Sequence, residues 1–158
     1  MIRPYRPEDL ETIAAIGDRA WKPIYDMFRD AYGAELFDIL VPSPATVKGD
    51  QIRNTCQNRP ELVLVCERGD KVVGFITMMI DEEKRIGEIG NNAVDPLAGE
   101  RGVGQEMYQA AFELFKKRGM KFAKVGTGMD DAHAPARRAY ERAGFDIHHE
   151  MITYFKKL

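Results

Sequence analysis

The stretch from residue 94 to residue 104 has the composition of a loop that binds an anion. A predicted strand ends at Asp95-Pro96, and Gly99, Gly102 and Gly104 follow where helical spacing begins. Glycine lets a backbone approach a ligand closely, and the first amides of a helix carry partial positive charge, so a phosphate or pyrophosphate could bind here. A tight strand-to-helix turn without a ligand would have the same sequence, and the loop alone leaves both interpretations open.

Two familiar nucleotide-binding loops do not fit this stretch. A Walker loop needs Lys and then Ser or Thr after its last glycines, whereas Gly104 is followed by Gln105-Glu106. A dinucleotide-binding loop needs a third glycine where Met107 stands, and an acidic residue about 20 positions later, where Lys124 stands. Both classes are therefore disfavoured.

Side chains that could move protons lie on either side of the loop. Glu88 precedes it in a predicted strand, and Tyr140 follows it in a later segment with helical spacing. A carboxylate can accept a proton and a phenol can donate one, so both side chains are chemically able to transfer protons. Each also has a structural interpretation. Glu88 would be a solvated carboxylate at a strand edge, and Tyr140 a core aromatic in a stripe with Ala136, Ala139 and Ala143.

Two separated segments carry a resemblance to a known family. One is Val94-x-Pro96 followed by Arg101-Gly102-Val103-Gly104, and the other is residues 136–145, which end in Gly-Phe. In this order they resemble the acetyl-CoA pyrophosphate loop and a later helix of the GCN5-related N-acetyltransferase (GNAT) superfamily. Residues 73–76 are similar to the third strand of that family. The resemblance covers roughly residues 72–145 and is weaker in the N-terminal helices.

The resemblance implies the fold and the cosubstrate. It implies one acetyl-CoA-dependent domain over residues 1–158, with an α/β (α+β) fold in which a mixed, mostly antiparallel sheet is flanked by helices. The pantetheine arm of acetyl-CoA would lie along the fourth strand like an added strand, and the loop amides would hold the pyrophosphate. No metal is implied. The residues implied in cofactor binding are Ala93, Val94, Gly99, Glu100, Arg101, Gly102, Val103, Gly104, His133 and Ala136.

The resemblance also implies a reaction. The acetyl group of acetyl-CoA would pass directly to a primary amine within a ternary complex, with a backbone N–H near Val94 holding the oxyanion. Tyr140 would protonate the departing thiolate. Glu88 would be the base, since it precedes Gly102 by 14 positions as the catalytic glutamate of the histone acetyltransferases of this superfamily does; water is the alternative base. The alternative function is a non-catalytic acyl-CoA-binding regulatory module of the same fold.

Two positions depart from the family pattern. Gly99 stands where Gln or Arg is common, and His133 stands where Asn is usual. Arg101 could replace the missing phosphate-facing side chain, and His133 could reach the cofactor or serve only as a helix cap. Neither change removes backbone donors, so acetyl-CoA binding is still expected.

The acceptor pocket is predicted from polar and aromatic residues elsewhere. Asn91 and Asn92 are polar residues within a strand and are expected to line the pocket, and Trp21 and Tyr25 have near-helical spacing that suits either a pocket wall or the core. The acceptor is either a small-molecule amine or an amine of a peptide or protein. The oligomeric state stays open between a monomer and the homodimer that many family members form.

The hydrophobic periodicity predicts the elements that must position these residues. Proline-bounded helices are expected after Pro7, after Pro23 and before Pro60, and a later one over residues 102–118. Strict alternation along the strand before the loop would place Glu88 on one face with Asn92 and Val94, unless a bulge intervenes. The predicted strands cover residues 2–5, 62–66, 72–80, 86–94 and 122–125, a short helix covers 135–143, and one or two strands cover 145–155.

Composition and charge exclude several classes. The 158 residues are 44% hydrophobic and 30% charged, without a long apolar run, which fits one soluble domain and no membrane span. We expect a cytoplasmic protein with its two cysteines reduced and no metal site. No basic run exceeds three residues, which argues against a nucleic-acid partner.

The charge is unevenly distributed along the chain. Residues 1–100 carry 12 basic and 18 acidic side chains, and residues 101–158 carry 11 and 7. The basic part contains the glycine loop and suits the polyanionic head of CoA, whereas the acidic part predicts a weak preference for a cationic amine.

Overall fold

A computed structural model describes all residues, 1–158. Short 3₁₀ turns lie at Pro7–Asp9, Pro60–Leu62 and Asp131–His133. No helix combines the length and the apolar character needed to cross a membrane. The helices and strands are β1 (Ile2–Pro4), α1 (Leu10–Leu40), α2 (Val47–Asn58), β2 (Val63–Arg68), β3 (Lys71–Asp81), β4 (Ile86–Val94), α3 (Val103–Lys117), β5 (Phe122–Val125) and α4 (Ala134–Ala143).

The five strands form one sheet in the order β1-β2-β3-β4-β5. Neighbouring strands are antiparallel except β4 and β5, which are parallel. Helices α1 and α2 cover one face, where Ile16, Ile52 and Phe75 are fully buried. Helices α3 and α4 cover the other face, where Ile76 and Met107 belong to a second buried cluster. The predicted α/β (α+β) fold with a mixed, mostly antiparallel sheet is confirmed.

A bulge interrupts the pairing of β3 and β4. Ile76 pairs with Asn92 but Met78 pairs with Ile89, so Thr77 alone opposes two residues of β4. The Thr77 hydroxyl donates a hydrogen bond of 3.1 Å to the carbonyl of Asn91 and holds this geometry. Because a bulge inverts the alternation beyond it, Glu88 lies on the face opposite to Asn92. The exception that was allowed for a bulge therefore applies, and Glu88 does not share a face with Asn92 and Val94.

The sheet opens between β4 and β5. Strand β5 pairs only with residues 86–89 of β4, which leaves residues 90–94 without a neighbour on that side. Asp95 donates its N–H to the carbonyl of Val73 on β3. Since successive residues of a strand point their N–H groups to opposite sides, the N–H groups of Val94 and Asn92 point into the opening.

Helix α1 differs from the prediction. A second helix was expected to begin after Pro23, but one helix runs from Leu10 to Leu40 with Pro23 inside it. A proline removes one helical hydrogen bond but keeps a helical φ, and burial of Ile16 and Tyr25 on either side outweighs that loss. The break comes instead at Gly33, whose φ of 76° and ψ of 159° are not helical.

The chain after α4 forms no strand, so the predicted extended pairing over residues 145–155 is wrong. The last backbone hydrogen bond runs from the N–H of Phe145 to the carbonyl of Tyr140. Beyond it, the Phe155 ring lies 5.5 Å from the ring of Tyr32 on α1. Strand propensity depends on a neighbouring strand to pair with, and this segment passes along α1 instead of along β5.

Candidate active site

The glycine loop connects β4 to the first turn of α3. Gly99 and Gly102 have φ angles of 67° and 79°, which favour glycine, and Gly102 is the N-cap of α3. The backbone amides of residues 99–105 donate to no group of the chain. These consecutive free donors at a helix N-terminus make a site for a phosphate or pyrophosphate.

Close packing fixes the position of α3 behind this loop. A methyl group added at Gly74 of β3 would lie 3.2 Å from Val103 Cγ1 and 3.3 Å from Met107 Sδ, so glycine lets α3 sit directly on the sheet. On the other side, Asp95 accepts a hydrogen bond from the N–H of Leu97 and forms an ion pair of 2.8 Å with Arg19 of α1. The loop is therefore held by groups on both faces of the sheet.

Charged side chains of the loop differ in their partners. The exposed Arg101 makes no hydrogen bond or ion pair within the chain, so its guanidinium is free to meet a phosphate. The carboxylate of Glu100 lies 3.9 Å from Arg68 of β2. The predicted replacement of a family Gln or Arg by Arg101 at this loop stays a prediction.

Tyr140, Asn92 and Tyr108 form a hydrogen-bonded cluster beside the opening. The Asn92 side-chain Nδ2 donates to the Tyr140 hydroxyl at 3.3 Å, and the Tyr108 hydroxyl donates to Asn92 Oδ1 at 3.0 Å. Tyr140 is 9% exposed, and the two tyrosine rings are 5.4 Å apart. Burial raises the pKa of Tyr140, and the polar groups of Asn92 and Tyr108 beside its hydroxyl partly offset this. The phenol thus keeps its proton at neutral pH, with its ring packed in the core and its hydroxyl beside the opening.

Glu88 lies on the other face of β4, in the part of the strand that is still paired with β5. Its carboxylate forms an ion pair of 2.8 Å with Lys124, its pairing partner on β5. The side chain keeps 30% of its surface exposed. It borders a shallow cavity of about 180 Å³ together with Met79, Asp81 and Lys84. Glu88 is thus a carboxylate at a strand edge with access to solvent, which suits either interpretation of the sequence.

Asn91, Trp21 and Lys48 meet on the same face as Glu88. Lys48 Nζ donates to Asn91 Oδ1 at 3.1 Å and lies 4.4 Å from the centroid of the Trp21 ring. Tyr25, one helical turn after Trp21, is 8% exposed and packs in the core. The two adjacent asparagines therefore serve opposite faces, with Asn92 beside Tyr140 and Asn91 below α1.

His133 is the N-cap residue of α4. Its Nδ1 lies 2.7 Å from Asp130 Oδ2, and its ring lies 6.2 Å from that of Phe28 on α1. Arg137 donates to the carbonyl of Asp130, which stabilises the turn. Ala136, in the first turn of α4, packs against the core cluster that contains Tyr140.

Most of the predicted residues lie on β4, in the glycine loop after it, or on helices α1 and α4, which cover the two faces of the sheet. Three residues of the site were missed. Tyr108 was detectable, because it follows Gly104 by one helical turn beside the predicted apolar stripe of α3. Nothing in the sequence pattern indicated a role for Asp130 or Lys48, because a charged residue near a helix start is ordinarily solvated. Lys48 is buried only because α2 docks closely on α1, where a methyl group at Gly17 would lie 3.3 Å from Lys48 Cγ.

The residues present fit coenzyme A. The free edge of β4 offers backbone groups to an extended pantetheine arm, and the free amides of residues 99–105 offer donors to its pyrophosphate. No group of three or more His, Cys, Asp and Glu side chains has the geometry of a metal site.

Comparison with known families and proteins agrees with this chemistry. The model of the acetyltransferase (GNAT) family matches residues 21–145, which include the opening, the glycine loop and Tyr140. Among solved structures, the PaiA N-acetyltransferase of Thermoplasma acidophilum in complex with coenzyme A superposes with a TM-score of 0.72. It is 19% identical, over 94% of this chain and 90% of that one, so the likeness is one of fold.

Two curated proteins are similar to this chain over shorter stretches, at higher sequence identity. An uncharacterized N-acetyltransferase of Methanocaldococcus jannaschii is 32% identical over 87 residues, which are 52% of this chain and 38% of that protein. A mycothiol acetyltransferase of Streptomyces bingchenggensis is 28% identical over 95 residues, which are 60% of this chain and 30% of that protein. The match therefore spans less than two-fifths of the length of either relative.

Proposed function

The chain belongs to the acetyltransferase (GNAT) family, and from this premise we propose that it transfers the acetyl group of acetyl-CoA directly to a primary amine within a ternary complex. The observation that carries the proposal is the open edge of β4, which ends in free loop amides and has the Tyr140 hydroxyl hydrogen-bonded to Asn92 beside it.

Acetyl-CoA binds along this edge in the proposed complex. The pantetheine arm bonds to the backbone of Ala93 and Val94, and the pyrophosphate accepts hydrogen bonds from the loop amides. Arg101 adds positive charge at the phosphates, and His133 and Ala136 border the arm at the start of α4. When bound, the thioester supplies the activated acyl group, and the protein supplies its orientation and its protons.

In the proposed reaction the base and the acid lie on opposite faces of β4. The amine nitrogen attacks the carbonyl carbon of the thioester, and the Val94 N–H stabilises the oxyanion of the tetrahedral intermediate. The C–S bond then breaks and the electron pair leaves on sulfur. Tyr140 gives its proton to this thiolate, and Glu88, directly or through water, accepts the proton that the amine loses. The phenolate of Tyr140 regains its proton from solvent, so the products are an N-acetylated amine and free CoA.

The bulge in β4 supports this division of roles. It places Glu88 on the face that carries Asn91 and Trp21, and leaves Tyr140 and Asn92 on the face that carries α3 and α4. An acid for the leaving thiolate and a base for the incoming amine are needed on opposite sides of the thioester. The ion pair with Lys124 holds the Glu88 carboxylate near the opening.

Release of the CoA thiol tests the function. Purified protein with acetyl-CoA and a panel of small-molecule and peptide amines should release thiol only when an accepted amine is present. Binding of acetyl-CoA with no release from any amine would favour the alternative, a non-catalytic acyl-CoA-binding module.

A further inference from the structure

Lys48 is a buried cation whose hydrogen-bond partners are neutral. The residue is 8% exposed, and its Nζ donates to Gln51 Oε1 at 2.7 Å and to Asn91 Oδ1 at 3.1 Å. The Trp21 ring lies against the ammonium, with its centroid 4.4 Å away. No carboxylate comes within the 4.0 Å of an ion pair, although Lys48 is a first-turn residue of a helix in an acidic part of the chain.

A nearby carboxylate is already engaged. Asp18 of α1 accepts a hydrogen bond of 2.7 Å from the N–H of Gly49, in the first turn of α2. It therefore caps this helix. Burial lowers the pKa of Lys48, and Asp18 opposes that shift only through space. A buried charge without an ionic partner is costly, because amide oxygens and an indole face replace only part of the lost hydration.

The ammonium lies at the acceptor side of the proposed reaction. Asn91, its partner on β4, is part of the bulge and lies three residues before Val94. A strand advances about 3.3 Å per residue, so Asn91 and the oxyanion donor are roughly 10 Å apart along β4. Gln51, the other partner, is exposed, so the cluster reaches the surface between α2 and β4.

We propose that Lys48 binds an anionic oxygen group of the acceptor, so that the substrate is a primary amine that also carries a carboxylate or a phosphate. Lys48 has three N–H donors, and the two amide oxygens leave one of them for this group. The Trp21 ring and the Asn91 amide oxygen contact the same ammonium. Because Asn91 and Val94 are roughly 10 Å apart along β4, the proposed acceptor is a compact molecule that carries its amino group and its anion close together, as in an amino acid.

This inference rests on the proposed function, and its test separates the two. Amino acids are compared with their carboxamides, and phosphoethanolamine is compared with ethanolamine, using acetyl-CoA and wild-type protein. The anionic member of the preferred pair should have a kcat/KM about ten- to a hundredfold higher. Lys48→Met should remove that preference, whereas Lys22→Met, which changes an exposed lysine next to Trp21, should keep it. The pair that responds distinguishes carboxylate from phosphate.

Several outcomes contradict the inference. Equal acetylation of neutral and anionic amines by wild-type protein overturns the anion site but leaves the acetyltransferase function intact. A preference that survives in both Lys48→Met and Lys48→Gln, each checked for a native circular dichroism spectrum, also overturns it.

Binding covers the case in which no amine is acetylated. Calorimetry of the CoA-loaded protein with the same pairs should then detect the anionic members in wild-type protein and not in Lys48→Met. Failure to bind any anionic member overturns the anion site, whereas Lys48-dependent binding upholds it even though the proposed function has failed.

Discussion

Tyr140 joins the core of the protein to the chemistry proposed for it. Its ring packs between Tyr108 and Phe145, and its hydroxyl accepts a hydrogen bond from Asn92 at the edge of the opening. Burial of the phenol raises its pKa, so the group is protonated when a thiolate forms beside it.

We expect Tyr140→Phe to lower kcat about a hundredfold while changing the KM for acetyl-CoA little, because the ring stays and only the proton donor is lost. Steady-state kinetics with an accepted amine measure both constants. Tyr108→Phe is the matched control, since it removes the other hydroxyl that contacts Asn92. A Tyr140→Phe enzyme with unchanged kcat for every accepted amine would contradict the acid role.

Glu88 makes a prediction about pH. Glu88→Gln keeps the size of the side chain but cannot accept a proton, so it should lower kcat/KM and change how kcat/KM depends on pH. Glu113→Gln, which changes an exposed carboxylate paired with Lys116, should leave the profile unchanged. An unaltered profile in Glu88→Gln would assign the base to water or to the substrate.

The anion site should depend on pH through Lys48. Burial lowers its pKa to about 8, and Asp18, the charged group near it, opposes this shift. Gln51 on α2 and Asn91 on β4 do not titrate, so the ammonium is present below about pH 8 and lost above it. The preference for an anionic over a neutral acceptor should therefore hold near neutral pH and decline through pH 8. The ratio of kcat/KM values, corrected for the deprotonated fraction of each amine, measures it; a ratio constant to about pH 10 would count against the assignment.

At the scale of elements, the glycine loop provides a prediction with an internal control. Gly102 and Gly69 both have positive φ and no atom within 4 Å of an added Cβ. Each alanine substitution should therefore lower the free energy of unfolding by a similar amount, about 1–2 kcal/mol, because a left-handed residue with a Cβ is strained. Denaturant unfolding measures this cost.

Only Gly102→Ala should also weaken acetyl-CoA binding, by about tenfold, since Gly102 orients the free loop amides and Gly69 lies in the turn between β2 and β3. Calorimetric titration of both variants with acetyl-CoA gives the comparison. Equal affinities in the two variants would argue that the loop does not hold the pyrophosphate.

Elements bounded by clear turns could be predicted well. The strands over residues 86–94 and 122–125 are confirmed with the predicted bounds. The first ends at Asp95-Pro96 and the second at Gly126, where the sequence favours a turn. The bulge in β4 could not be located, because the same residues alternate equally well with or without it. The predictions of a helix start after Pro23 and of strands after α4 were wrong. In both cases packing on α1 determines the structure, and the local propensity of the sequence does not.

At the scale of the whole molecule, the sheet opening organises the site. Residues separated by more than 100 positions, such as Trp21 and Tyr140, face its two sides because α1 and α4 cover opposite faces of one sheet. The family motifs gave Tyr140 and the loop from sequence. The burial of Lys48 could be recognised only from the structure, because it depends on the close contact between α2 and α1.

The net charge of the chain does not describe the charge beside Asn91. Residues 1–100 carry the excess of acidic side chains, which predicted a preference for a cationic amine. The cluster at Asn91 instead presents a cation, because Asp18 is occupied at the start of α2. In the proposed complex the acceptor meets both the buried Lys48 and the screened background of the acidic side chains.

Initial-rate kinetics test direct transfer in a ternary complex most directly. With acetyl-CoA and an accepted amine varied together, double-reciprocal plots should give intersecting lines, and the intact mass of protein incubated with acetyl-CoA alone should be unchanged. Parallel lines, together with an acetylated protein that passes its acetyl group to the amine, would show a covalent intermediate and contradict the account.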